Sequence, residues 1–273
     1  MTTSPVLKTY KKDRIKLQHN NKTGEAGTID IFRGCPGCEM KNAPCYAAKG
    51  AARVGIDFFQ PIRRDFDKSL LEKQLKRYDI DWVRIGCISD PSLDWEITCQ
   101  VAELISQHEK KAVIITKLYE MPSEQQLKRI SKTPGNLQIS ISGMTPRKAI
   151  NDRFAIAQQA HKLGVQTLWR INSARWKLDS KADKTQEELI QMADGEAIDI
   201  IDTPIRLFKK SPFWKHVEQD QYHRHLSPIS GKLDNQQCAG LIIPEAYPCY
   251  STCADGPRGN DPIGCQHQCV TRI

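Results

Sequence analysis

Two hydrophobic periods take turns along this chain. Short runs rich in β-branched residues fall at 28–33 (TIDIFR), 82–87 (WVRIGC), 112–117 (AVIITK), 137–142 (LQISIS), 166–171 (QTLWRI) and 197–202 (AIDIID), and each predicts a strand. Helical patterns lie between them. In 94–110 the residues Ile97, Val101, Leu104, Ile105 and His108 share one face. The stretch 145–164 opens with Thr145 as N-cap and Pro146 at the first helical position, turns Ile150, Phe154 and Ala157 inward, and stops at Gly164. The stretch 184–195 offers a capping box, Thr185 with Glu188, and ends at Gly195. A further helix fits 66–78.

The later strands begin near 82, 112, 137, 166 and 197, at spacings of 30, 25, 29 and 31 residues. That is about one strand–helix unit each, the signature of a parallel sheet with right-handed crossovers. No Gly-x-Gly-x-x-Gly turn and no phosphate-binding loop accompany the strands, so a barrel is favoured over a doubly wound open sheet. Six units predict an α/β fold, a partial (β/α)6 TIM-like barrel over 28–205. A basic N-terminal arm, 1–27, precedes it, and a cysteine-rich C-terminal extension, 206–273, follows. The extension is too poor in apolar periodicity for another unit, and it reads as an appendage folded around a metal.

Charge is uneven. The chain of 273 residues carries a net charge of +8. Six basic residues (Lys8, Lys11, Lys12, Arg14, Lys16, Lys22) stand against Asp13 in the first 22. Such an arm is a solvated segment or a contact for phosphate, so nucleic acid enters as a candidate partner. No run has the length of a membrane-spanning helix and no secretory signal opens the chain, so no membrane association and a cytoplasmic, reducing compartment are expected. There, clustered thiols read as metal ligands rather than disulfides.

Ten cysteines sharpen this picture. Cys35, Cys38 and Cys45 form a Cys-x2-Cys-x6-Cys run in an overlong connection after the first strand, of roughly thirty residues with no predicted element, and loops of that length are usually functional. Three thiolates with no obvious fourth ligand fit a 4Fe–4S cluster with one open iron, or a zinc knuckle closed by a distant Cys or His. In the tail, Cys249-x3-Cys253 and Cys265-x3-Cys269 are two pairs that can close around a second 4Fe–4S cluster or zinc. Cys238, eleven residues upstream, is a substitute ligand or an unpaired thiol. Cys87 and Cys99 read as small buried hydrophobes.

Three clustered cysteines after the first strand of a six-unit barrel resemble the radical S-adenosylmethionine superfamily. The resemblance covers roughly 28–205. The common spacing there is Cys-x3-Cys-x2-Cys. This chain departs from it and is closer to phage-encoded variants with a Cys-Tyr-Ala ending. The resemblance implies that Cys35, Cys38 and Cys45 bind the cluster and that the amino and carboxylate groups of S-adenosylmethionine chelate its open iron. It further implies reductive cleavage to a 5′-deoxyadenosyl radical, with flavodoxin or ferredoxin as electron donor. Tyr46 resembles the family's aromatic near the adenine. The segment Gly86-Cys87-Ile88-Ser89-Asp90 resembles in position the segment contacting the methionyl amine, with Ser89 and Asp90 its polar groups. Ser140, Ser142 and Gly143 end strand four. Arg170 and Asn172 end strand five and are candidates for the carboxylate or ribose. Lys117 and Asp202 are further candidates of the same kind. The rival readings are a zinc-stapled nucleic-acid-binding module and an iron–sulfur electron carrier or sensor.

Overall fold

The computed structural model describes residues 13–19, 26–37, 45–53, 55–208, 211–226, 233–240, 242–244 and 246–248. In chain order its elements are β1 (Leu17–His19), β2 (Ala26–Ile29), β3 (Phe32–Arg33), α1 (Tyr46–Ala52), β4 (Ile62–Arg63), α2 (Lys68–Arg77), β5 (Trp82–Ile85), α3 (Trp95–Gln107), β6 (Lys111–Thr116), α4 (Glu124–Ile130), β7 (Gly135–Ser142), α5 (Arg147–Lys162), β8 (Thr167–Asn172), α6 (Lys181–Gly195), β9 (Asp199–Asp202), β10 (Leu207–Phe208), β11 (His223–Leu226), β12 (Leu233–Cys238) and β13 (Tyr247–Pro248). They fall into two compact units, one holding β1 to β6 with α1 to α4, the other holding β7 to β13 with α5 and α6.

In the first unit β2, β5 and β6 run parallel in that order, and β1 adds antiparallel to β2. Ile29, Val83, Ile85, Val113 and Ile114 are buried on this sheet, with Leu71, Val101 and Leu104 from the helices. Burying such a side chain is worth about 1.5–3 kcal/mol. Helix α2 begins at Asp67, whose carboxylate accepts from the Leu70 N–H at 3.0 Å. Helices α3 and α4 are tied by Arg129, which forks onto both oxygens of Glu103 at 2.6 and 2.9 Å and reaches Glu96 at 2.7 Å. Strand β1 lies in the stretch read as a basic arm. Ile15 and Leu17, the apolar residues between its lysines, are buried.

In the second unit β7, β8, β9 and β13 run parallel in that order. In both units spatial order follows chain order, and helices connect most parallel neighbours, as the strand–helix period predicts. Strand β7 is buried almost end to end, as parallel strands covered on both faces are. Trp169 of β8 is fully buried and meets Phe154 of α5 edge to face at 5.5 Å.

Five expectations change. The predicted strand 28–33 is two strands: β2 stops at Ile29, and β3 pairs antiparallel with β4 in a separate ribbon. The long connection after it is not bare. It holds α1, starting at the residue after Cys45, and the ribbon. Thr145 does not cap α5. Its hydroxyl instead accepts from the Ser142 N–H at 3.0 Å, and Pro146 stands at the cap. Helix α6 starts earlier than predicted, at Ser180, whose hydroxyl accepts from Asp183 N–H, so Thr185 lies inside the helix, buried.

The fifth change concerns the tail. Ile205, Leu207, Phe213, Val217 and Tyr222 form an apolar cluster with Ala174, Trp176 and Ala182. Strands β10, β12 and β11 make a small antiparallel sheet, and β13 extends the parallel one. Among the described residues, 205–208 and 211–222 are therefore held in part by apolar packing. Cys249, Cys253, Cys265 and Cys269 lie outside the described residues, as does Cys38. No helix among the described residues is long and apolar enough to cross a membrane.

Candidate functional site

Buried polar groups crowd the C-terminal ends of the parallel strands in the first unit. Asp30 follows β2 and is 1 % exposed. One of its oxygens accepts from Ile88 N–H and Ser89 N–H, both at 2.9 Å, and from the Ser89 hydroxyl at 3.1 Å. A carboxylate buried without such donors is costly, so this one fixes the loop after β5. Ser89 is thus spoken for on both its N–H and its hydroxyl, and the latter also receives Phe32 N–H at 3.4 Å.

Asp90 is the hub of the next layer. One oxygen accepts from Ser92 N–H at 3.0 Å, the Ser92 hydroxyl at 2.7 Å and the Thr116 hydroxyl at 2.7 Å, and the other accepts from Lys117 N–H at 2.6 Å. It caps the 3-10 turn Pro91–Asp94 and locks it to the end of β6. The Lys117 side of this loop is held by its backbone. Gly86, just before, has φ +89, and a Cβ there would sit 2.6 Å from Ile115 O, so no other residue fits the turn.

Beyond β6 the chain reaches the cysteine loop. Leu118 takes a left-handed φ of 51° and Tyr119 follows. The Tyr119 N–H donates to the Ser92 hydroxyl at 2.9 Å. Its own hydroxyl donates to Gly37 O and lies 3.7 Å from Cys35 Sγ. Cys35 is half-buried, its N–H bonded to Phe58 O at 2.8 Å. Gly34 has φ +92, and a Cβ there would meet Phe58 O at 2.5 Å. Tyr46 opens α1, directly after the half-buried Cys45.

The second unit has its own polar face. Strand alternation puts Asn136, Gln138, Ser140 and Ser142 of β7 on one side and Leu137, Ile139 and Ile141 on the other. In register, Ser140 stands beside Arg170 and Ser142 beside Asn172. Arg170 lies inside β8, not at its end. Its Nε and Nη2 donate to the Gln138 amide oxygen at 2.9 and 2.7 Å, and Nη1 to the Thr203 hydroxyl at 3.0 Å. Asn172 ends the strand, and its amide donates to Ile141 O at 3.2 Å. Ser142 is fully buried, and its hydroxyl accepts from Met144 N–H at 3.3 Å. The Ser140 carbonyl accepts from the Arg153 guanidinium at 3.3 Å.

Asp202 is completely buried at the end of β9. The Ser173 hydroxyl donates to one oxygen, and Ile242 N–H (2.7 Å) and Ile243 N–H (3.1 Å) donate to the other. Burial pushes its carboxyl above the usual range, and those three donors hold it back in part. It therefore seats the tail rather than facing an open cleft.

The remaining cysteines divide by burial. Cys99 is 1 % exposed, and burial pushes its thiol up to about 12. Cys238, at the end of β12, is likewise buried. Cys87 is half-buried, not the core group expected. No three metal-ligating side chains converge among the described residues. Sequence reasoning missed Asp30, Ser92, Thr116, Tyr119 and Gln138. The signals for two of them were an acid between two isoleucines in TIDI and the polar phase of LQISIS.

No family model matches the sequence, and no curated protein matches it. Solved structures of SuiB of Streptococcus suis are similar to this chain. The one bound to precursor peptide SuiA shares 15 % identity at TM-score 0.37, covering 48 % of this chain and 30 % of SuiB. The one bound to S-adenosylmethionine shares 15 % at 0.37, with 48 % and 31 % covered. A third SuiB structure shares 13 % at 0.38, with 54 % and 33 % covered. The chain thus spans about a third of the length of SuiB. Likeness of this degree assigns no chemistry to it.

Proposed function

We propose that this chain is an iron–sulfur enzyme of the radical S-adenosylmethionine kind, in which a partial (β/α)6 barrel carries a cluster held by Cys35, Cys38 and Cys45. One observation carries the reading: the three-cysteine run lies in the connection that follows the first parallel strand, β2, with Cys35 two residues after β3 and Cys45 at the residue before α1. The active ends of parallel strand–helix folds lie on that side of the sheet. The donor set also fits. Three thiols are soft ligands suited to iron–sulfur chemistry. The backbone around the first is pinned by Gly34 and Phe58 in a turn that a side chain on residue 34 would block. A cluster bound there would, once reduced by an external donor, supply the electron that splits S-adenosylmethionine into methionine and a 5′-deoxyadenosyl radical.

The chain's own groups orient the rest. Asp30 and Asp90 hold the Ser89–Ser92 loop rigid, so that its backbone presents a fixed rim to the amino end of the cofactor. Arg170, held by Gln138 and Thr203, carries a guanidinium suited to a carboxylate or ribose. Ser142 and Asn172 stand side by side at adjacent strand ends as polar neighbours of that group. Tyr46, directly after the third cysteine, is the proposed aromatic partner of the adenine, although the family's aromatic usually precedes that cysteine. The paired cysteines Cys249, Cys253, Cys265 and Cys269 are proposed to hold a second 4Fe–4S cluster or zinc. A flavodoxin or ferredoxin is the proposed reductant, and nucleic acid the proposed contact of the basic arm. The test is anaerobic: protein reconstituted with iron and sulfide, reduced with dithionite, is given S-adenosylmethionine and assayed for 5′-deoxyadenosine. Colourless, zinc-loaded protein would instead indicate the nucleic-acid-binding module. Brown protein that leaves S-adenosylmethionine intact would indicate the electron carrier or sensor.

A further inference from the structure

Tyr119 is held more firmly than its place in a loop requires. Its N–H donates to the Ser92 hydroxyl, which in turn donates to Asp90. The next residue, Glu120, receives the Trp95 indole N–H on its carbonyl at 2.8 Å. The preceding residue, Leu118, sits in the left-handed region at φ 51°, buried to 3 % exposure, with its N–H on the Thr116 hydroxyl at 2.8 Å. Left-handed backbone is unfavourable for a leucine and persists only where its surroundings impose it. Three hydrogen bonds, one of them from the strained residue itself, therefore aim a single phenol. That phenol donates to Gly37 O and lies 3.7 Å from Cys35 Sγ.

We propose that Tyr119 is a positioning residue for the cysteine loop, its single phenolic proton shared in a three-centre hydrogen bond between the Gly37 carbonyl and the sulfur of Cys35, and that it raises the reduction potential of the group Cys35 holds; this rests on the cluster reading above. The chemistry is direct. A cluster-bound cysteine is a thiolate with no proton to give, so the phenol is the only donor of the two. Reduction adds negative charge to the sulfurs, and a hydrogen bond to sulfur stabilises the reduced form more than the oxidised one. The same hydroxyl, by holding Gly37, ties the backbone between the first two cysteines to β6.

The experiment uses the full chain, reconstituted anaerobically, as wild type, Tyr119→Phe and Ser92→Ala, with Cys35→Ala identifying which signal belongs to this site. Iron content, the midpoint from a redox titration followed by electron paramagnetic resonance, and the rate of iron loss to a chelator are read without S-adenosylmethionine. Tyr119→Phe keeps the ring and loses only the hydroxyl. It should load the same iron, release it three- to tenfold faster, and shift the reduced-to-oxidised ratio at fixed potential three- to tenfold toward the oxidised form, about 30–60 mV for one electron. Ser92→Ala leaves the phenol but frees its backbone, and should give a smaller shift of the same sign. A purely packing role would leave the midpoint where it is. If wild type loads iron and both variants match it in midpoint and release rate, the role of Tyr119 is refuted and the cluster reading stands. If wild type loads no iron at the Cys35 site, both fall together.

Discussion

Replacing Asp90 by alanine tests whether the loop after β5 is organised by a carboxylate. Asp90 is 5 % exposed and accepts four hydrogen bonds, two of them from backbone N–H groups, of Ser92 and Lys117. The two hydroxyl donors can rotate toward other acceptors, but the two N–H groups cannot. Each buried donor left without a partner costs about 1–3 kcal/mol. Neighbouring losses are not additive, and some water will enter, so the expected loss is about 3 kcal/mol. For a chain of this size that lowers Tm by roughly 6–12 °C. Asp90→Asn keeps one oxygen for the Ser92 and Thr116 donors and turns an amide toward Lys117 N–H, so it should lose about 1–2 kcal/mol. The assay is urea unfolding of ligand-free protein followed by circular dichroism, with the slope checked for constancy so that the midpoint reports stability. The reasoning is refuted if Asp90→Ala unfolds within about 0.5 kcal/mol of wild type, the range of ordinary surface substitutions. Unchanged stability with weakened S-adenosylmethionine binding would return Asp90 to the role of a ligand group.

Two further predictions come from buried titratable groups. Asp202 has a folded-state pKa raised above its unfolded value of about 3.8, chiefly by burial, so between the two values the folded chain binds more protons than the unfolded one and stability falls as pH rises through that window. Asp202→Asn, isosteric and uncharged, should remove that decline, so the stability of wild type minus variant should drop across the window; parallel pH profiles in thermal unfolding would contradict this. Cys99, buried with its thiol pushed up to about 12, should resist iodoacetamide in native protein at pH 8 and react only after unfolding, as followed by peptide mass spectrometry; rapid native labelling would contradict its burial.

The strands were legible because runs such as AVIITK and LQISIS are short, β-branched and buried on both faces, and little but a parallel strand satisfies that pattern. Helix α5 was legible at its C-terminal end, where Gly164 takes φ +80. Its N-terminus was not, because Thr145 prefers the nearby Ser142 N–H to the helix and no local rule separates those two partners. Helix α1, YAAKGAA, lacks the apolar stripe that periodicity reads, and β1 is a three-residue strand whose apolar content is one leucine. For the site, strand ends located Ser89, Asp90, Ser142 and Asn172. What each does depends on partners distant in the chain: Asp30 lies 59 residues from Ser89, and Tyr119 84 from Cys35. Residue type and spacing carry no record of such pairings. Arg170 shows this most clearly. Its charge was visible, but Gln138, the neutral side chain that holds it, lies 32 residues away and reads as an ordinary strand residue.

The most direct test of the account is S-adenosylmethionine cleavage by the anaerobically reconstituted full chain, wild type beside Cys35→Ala, Cys38→Ala and Cys45→Ala. The account predicts brown wild-type protein that forms 5′-deoxyadenosine on reduction, and three variants that each lose iron and form none. Wild type with a full cluster that yields no 5′-deoxyadenosine, or a Cys38→Ala variant with unchanged iron content and spectrum, would contradict it.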